Sequence, residues 1–128
     1  MKTIPSDYTL DDLMKLYDKD VQEVILSLDA ICKKESNSVA KIFGRDIIGY
    51  GDITYSNTYV KDQPWFRVGF RVSKIGITLY LNAYNETLYK LADELNITYG
   101  KGCYYMKKKD FQRLEAIQLL IKTSLRHF

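Results

Sequence analysis

Trp65, Arg67, Arg71, Tyr80 and Tyr104 are the residues of this chain whose types suit recognition chemistry. A guanidinium beside aromatic rings can hold a planar anion, a nucleobase or a partner peptide, because it brings forked donors and a stacking surface to one place. The plainer alternative is ordinary cross-strand pairing, since eleven tyrosines in 128 residues leave some on any surface. Gly100-Lys101-Gly102 is a second candidate. Glycines ahead of a strand can turn backbone N–H groups toward an anion, with Lys101 as a point charge. The alternative is a tight turn in which both glycines take positive φ. The spacing is not that of a P-loop, and a strand rather than a helix follows. Cys103 has no pairing base, because the one histidine, His127, lies in the tail, so it reads as a buried structural thiol. No acid–base pair or activated nucleophile can be assembled from these residues, and the expectation is a protein that is not an enzyme.

The elements that must position these residues centre on the run 65–83, WFRVGFRVSKIGITLYLNA. Phe66, Val68, Phe70 and Val72 alternate with Trp65, Arg67, Gly69 and Arg71, and Ile77, Leu79, Leu81 and Ala83 alternate with Thr78, Tyr80 and Asn82. Period-two alternation in aromatic and β-branched residues marks half-buried strands. The link between them is too short for a crossover, so the two strands form an antiparallel hairpin. One face is then wholly apolar and needs helices over it; the other carries Trp65, Arg67, Arg71, Thr78, Tyr80 and Asn82.

Along the rest of the chain, residues 1–8 read as a frayed lead-in. Thr9 and Asp12 offer a capping box to a helical stripe of Leu10, Leu13, Met14 and Tyr17. A second stripe, Val21, Val24, Ile25, Leu28, Ile31 and Cys32, runs to about Lys34, and Glu35-Ser36-Asn37-Ser38 is a loop. Residues 47–50 form a short strand closed by Gly51-Asp52, and residues 53–60 form another before the turn at 61–64. Asn85 caps a helix with Leu88, Leu91, Ala92 and Leu95 inward; residues 103–106 form the fifth strand. Asp110 caps the last helix, whose stripe is Phe111, Leu114, Ile117, Ile121 and Leu125. The order α-α-β-β-β-β-α-β-α predicts one α+β domain over 1–128, a mostly antiparallel five-stranded sheet with helices covering one face.

Composition is ordinary for a globular domain, with 27% charged and 46% hydrophobic residues, and 128 residues suffice for a core without disulfides or a structural metal. A net charge of +3 does not argue for nucleic acid, and the run Lys107-Lys108-Lys109 reads as a solvated turn. Charge is nevertheless uneven. Eight of the sixteen acids precede Ser36, whereas seven of the basic residues follow Tyr99. Two distant cysteines point to a reducing compartment. With no leader-like start and no run near the ~18 apolar residues of a span, the expectation is a cytoplasmic protein away from membranes.

From about Ser36 onward the chain resembles the YdhG-like family of small bacterial domains, long classed as of unknown function. The resemblance is carried by residues 43–51 (Phe-Gly-Arg-Asp-Ile-Ile-Gly-Tyr-Gly), by 70–74 with Leu79-Tyr80, by 100–105 (Gly-Lys-Gly-Cys-Tyr-Tyr) and by 110–124. Phe43 stands where the family usually has Trp, and Ser73-Lys74 where it often has an Arg-Lys pair, which makes Lys74 a further candidate ligand contact. The family is similar to frataxin in fold, and one branch is described as an iron chaperone supplying iron–sulfur cluster assembly. The resemblance implies weak iron binding and delivery, with no tightly bound cofactor and with iron–sulfur assembly proteins as partners. The open ligands would be Asp11, Asp12, Asp18, Asp20 and Glu23, oxygen donors suited to a hard or borderline cation. Against this stands the reading of the same acids as a solvated helix face: Lys15 follows Asp11 by four residues, and seven residues of helix would hold Asp11 and Asp18 about 10 Å apart. The other reading is a binding module that takes a small anionic ligand or a protein partner on the aromatic and arginine face, with Lys101 of the Gly-Lys-Gly turn.

Overall fold

In the computed structural model of the chain, which describes residues 7, 9–56, 58–59, 61–73, 75–82, 85–107 and 113–126, the central hairpin forms as its alternation requires. Strand β3 (Gln63–Val72) pairs antiparallel with β4 (Gly76–Tyr80), Phe70 opposite Leu79 and Val72 opposite Ile77. Ser73 N–H donates to the Gly76 carbonyl at 2.9 Å to close the turn.

The sheet has six strands rather than five. It adds β1 (Lys41–Phe43), β2 (Ile47–Tyr55), β5 (Thr98–Tyr99) and β6 (Cys103–Lys107), in the antiparallel order β1-β2-β3-β4-β6-β5. Two expected strands are one: Gly51, at φ 81°, bends β2 without ending it, and pairing with β3 continues from Asp52 opposite Phe66 to Tyr55 opposite Gln63. The edge strands β1 and β5 span only three and two residues, too few for alternation to register.

Helix α1 (Leu10–Met14) begins with the expected reciprocal cap, the Asp12 N–H donating to Thr9 Oγ1 and the Thr9 N–H to Asp12 Oδ2, each at 3.1 Å. The first two stripes belong to separate helices. Helix α2 (Lys19–Ser36) starts afresh at Asp18, which accepts the Val21 N–H, and runs two residues past Lys34 to a left-handed Asn37. The Gln22 amide bridges the break by donating to the Met14 and Tyr17 carbonyls, both at 2.9 Å. Asn85 caps α3 (Glu86–Glu94) as its position implies, by accepting the Leu88 N–H. Helix α4 (Leu114–Leu125) follows Arg113; the cap read at Asp110, and Phe111, fall outside the described residues, as do Lys74, Ala83 and His127.

One face of the sheet packs against the helices. Ile48, Tyr50, Val68, Phe70, Leu79 and Tyr104 meet Leu13, Ile25, Leu28 and Cys32 from α1 and α2, Leu88 from α3, and Ile117 and Ile121 from α4. Each fully buried aliphatic or aromatic side chain there contributes about 1.5–3 kcal/mol, enough to fix which face is covered. Two buried phenols share this core. Tyr50 donates to Asp29, which also pairs with Lys33 at 3.5 Å; burial first, and that hydrogen bond second, push its pKa up. Tyr104 is fully buried, and its hydroxyl has no hydrogen-bond partner among the described residues. Alternation therefore puts Tyr104 on the helix-covered side, opposite Leu79, and it does not join the aromatic and arginine face.

Candidate functional site

The uncovered face has two dissimilar ends. At the first, Gly49 and Gly69 face each other across β2 and β3, and a Cβ on either would stand 2.5 Å from the Phe66 ring. Phe66 thus lies over the glycine pair. Its centroid is 4.3 Å from Trp65, 5.0 Å from Phe43 and 6.1 Å from Tyr80, and Tyr55 leans on Trp65 at 5.8 Å. Simple alternation put Phe66 with Val68 on the helix side and Arg67 on the open side, and both are reversed. The bend at Gly51 turns the Asp52–Phe66 pair over, so that Asp52 reaches Lys41 at 3.0 Å, while the Arg67 guanidinium donates to the Ser36 carbonyl at the end of α2. Arg67 is thereby held against a helix end.

The second end is different in kind. Arg71, Thr78, Tyr105 and Thr98 stand in one row across β3, β4, β6 and β5. Arg71 donates from Nε to Asp46 Oδ2 at 2.8 Å, and that bond raises the guanidinium's pKa further. Asp46 sits in the β1–β2 turn. Together with burial, which acts more strongly, it also lifts the phenol of Tyr17 above its ordinary range. Beside this row a cavity of about 910 Å³ opens at the ends of the strands. Ile77, Ile97 and Met106 also line it but are nearly buried and belong to the core, so the exposed apolar surface at the cavity is that of Ile75 and Tyr105. Ser73, Thr78, Asn96 and Thr98 supply uncharged polar groups. The charged lining is Arg71, Lys107 and Arg113, with no carboxylate among the described residues. Arg113 is positioned by donating to the Leu95 carbonyl at 2.7 Å. Gly76 must be glycine here, because a Cβ would run into the Met106 carbonyl of the neighbouring strand.

Of the residues expected to bind a ligand, Arg71 lines this cavity, while Trp65 and Tyr80 belong to the aromatic end. Tyr80 is half-buried, and burial and then Cys103 raise its pKa. Lys101 is exposed in the β5–β6 turn, away from the described lining. That turn is tied down by Gly100 N–H to the Cys103 carbonyl at 2.8 Å and Leu81 N–H to the Gly102 carbonyl at 2.9 Å. Only one of its two glycines, Gly102 at φ 72°, needs the left-handed region. Cys103 is partly exposed rather than buried, beside Tyr105, whose phenol it pushes up.

The acids are scattered in their roles. Asp12 and Asp18 cap helices, Asp11, Asp20 and Glu23 are exposed, and the break before α2 removes the continuous helix that would have spaced Asp11 from Asp18. Among the described residues, no group of three or more His, Cys, Asp or Glu side chains is placed to hold a metal ion. No helix there is long and apolar enough to cross a membrane.

Asp46, Ile75, Asn96, Tyr105, Lys107 and Arg113 escaped the sequence reading as site residues. The signal for them is weak: an isolated apolar residue in a hairpin tip (Ile75) and an aromatic out of phase with the core (Tyr105). We found no family model, curated protein or solved structure that matches the chain.

Proposed function

We propose that the chain is a non-enzymatic binding module that takes a small ligand into the cavity at the Arg71–Tyr105 end of the uncovered face. The observation that carries this reading is the cavity itself. At about 910 Å³ it falls in the range of ligand sites, roughly 300–1,000 Å³, and it combines the exposed apolar surface of Ile75 and Tyr105 with a few polar and charged groups. The aromatic end, by contrast, is already filled by its own rings. The iron delivery that the family resemblance implies has less beneath it, since two of its five acids serve as caps.

Thr78→Trp supplies the test. Thr78 lies mid-strand in the lining, half-buried, where an aromatic suits the strand and its bulk fills the cavity. A panel of small amphiphilic and aromatic compounds, screened by thermal unfolding, should raise the melting temperature of the parent protein and leave Thr78→Trp unmoved. Equal stabilisation of both proteins would place binding elsewhere, and no stabilising compound would end this reading.

A further inference from the structure

We propose that the ligand of this cavity is an anion with an apolar body, its carboxylate or phosphate group held by Arg71 and its chain or ring seated on Ile75 and Tyr105. The inference rests on the ligand-binding reading above and adds the chemistry of the ligand. Its first support is charge of one sign. Arg71, Lys107 and Arg113 are the charged groups among the described lining residues of a partly enclosed space, and Asp46, the partner of Arg71, stands outside that lining.

Its second support is placement. Asp46 engages Arg71 through Nε at 2.8 Å, which fixes the guanidinium plane, and the two Nη groups make no hydrogen bond among the described residues. A fork so presented matches two oxygens of one carboxylate or phosphate, with its ordering cost already met by Asp46. Arg113, held by the Leu95 carbonyl, is likewise fixed in position. Thr78 and Asn96 can donate to any remaining oxygen.

The apolar body follows from size and exposure. A bare inorganic anion would leave most of about 910 Å³ empty. Ile75 at 83% and Tyr105 at 47% exposure are large apolar side chains open to water at the same mouth, and covering them favours a ligand with a hydrocarbon part.

The experiment compares four probes below their aggregation limits, by calorimetric titration of the whole chain: decanoate, decyl phosphate, decanol and inorganic phosphate. Decanoate, decyl phosphate or both should bind, with decanol weaker by about tenfold or more, the worth of a charge-assisted hydrogen bond. The tighter of the two anions then identifies the head group. Arg71→Ala should bring the anions down to the level of decanol and leave decanol itself unchanged. The unliganded melting temperature should stay close to that of the parent, because the Arg71–Asp46 pair is half-exposed. Should Arg71→Ala unfold, Arg71→Gln keeps the side-chain stem and answers the same question. Salt should weaken anion binding and leave decanol binding alone. Decanol binding as tightly as the anions would overturn the inference while leaving the cavity reading in place. Inorganic phosphate binding as tightly as decyl phosphate would remove the apolar body. If none of the three decyl compounds binds, the cavity reading falls and the inference with it.

Discussion

Phe66 and Tyr105 project from the same uncovered face of one sheet, yet Phe66 is 2% exposed and Tyr105 47%. The difference lies in what stands beside them. Around Phe66, two facing glycines leave a trough one ring deep, and Phe43, Trp65 and Tyr80 close over it. Around Tyr105, the row Arg71–Thr78–Tyr105–Thr98 carries a side chain at every position, and cations replace aromatics. An apolar sheet face left bare invites association. Here one end satisfies itself with its own rings, and the other keeps a cavity lined by Arg71, Lys107 and Arg113, so the open portion is confined to the end that carries these charges.

Phe66→Ala should give the largest effect, a loss of about 3–5 kcal/mol in denaturant unfolding, because it empties the centre of the aromatic end. That would match Phe70→Ala on the helix-covered face, whereas Tyr105→Ala should stay within about 1 kcal/mol. A Phe66 loss below about 1 kcal/mol would erase the contrast between the two ends. Gly69→Ala comes next, at roughly 1–3 kcal/mol, since the new methyl meets both the Phe66 ring at 2.5 Å and the Ile48 carbonyl at 2.8 Å. Emission from the only tryptophan, Trp65, should shift to the red as the ring stack is pried open; an unchanged spectrum would mean that the trough can widen freely.

The covered face holds a contrast of the same kind, between a phenol whose hydroxyl is hydrogen-bonded and one whose hydroxyl has no such partner among the described residues. Tyr50→Phe leaves the buried Asp29 short of a donor and should cost about 1–3 kcal/mol, while Tyr104→Phe removes a hydroxyl with no partner among the described residues and should be neutral or slightly stabilising. Burial raises the pKa of both phenols above the ordinary 10.0. Above that pH the unfolded chain sheds tyrosine protons that the folded chain keeps, so stability should fall as pH rises past about 10. Urea midpoints at pH 9 and pH 11 read this directly, and Tyr50→Phe should flatten the decline. A midpoint insensitive to alkali would mean that these phenols reach water.

The hairpin and the helix stripes were legible because each rests on a periodic pattern at least five residues long, and Val72 opposite Ile77 follows from it. Lys41–Phe43 and Thr98–Tyr99 are shorter than any period can show. Gly51 was misread for a physical reason: a glycine followed by aspartate looks like a turn, whereas positive φ within a paired strand bends it and exchanges the faces of Phe66 and Arg67. Of the site, Arg71 stood out by its type beside aromatics. Asn96, Lys107 and Arg113 did not, because only the folding of α3, β6 and α4 around the strand ends brings them to the same cavity.

The contrast between the two ends is read most directly by amide chemical shifts in a labelled sample titrated with decanoate. Perturbations should gather at Ile75, Gly76, Thr78, Ile97, Tyr105 and Lys107, while Gly49, Gly69 and the Trp65 indole N–H stay where they are. Perturbation centred on Gly49, Gly69 and Trp65 instead would contradict it, by showing that the aromatic end opens to ligand and the cavity at Arg71 does not take it.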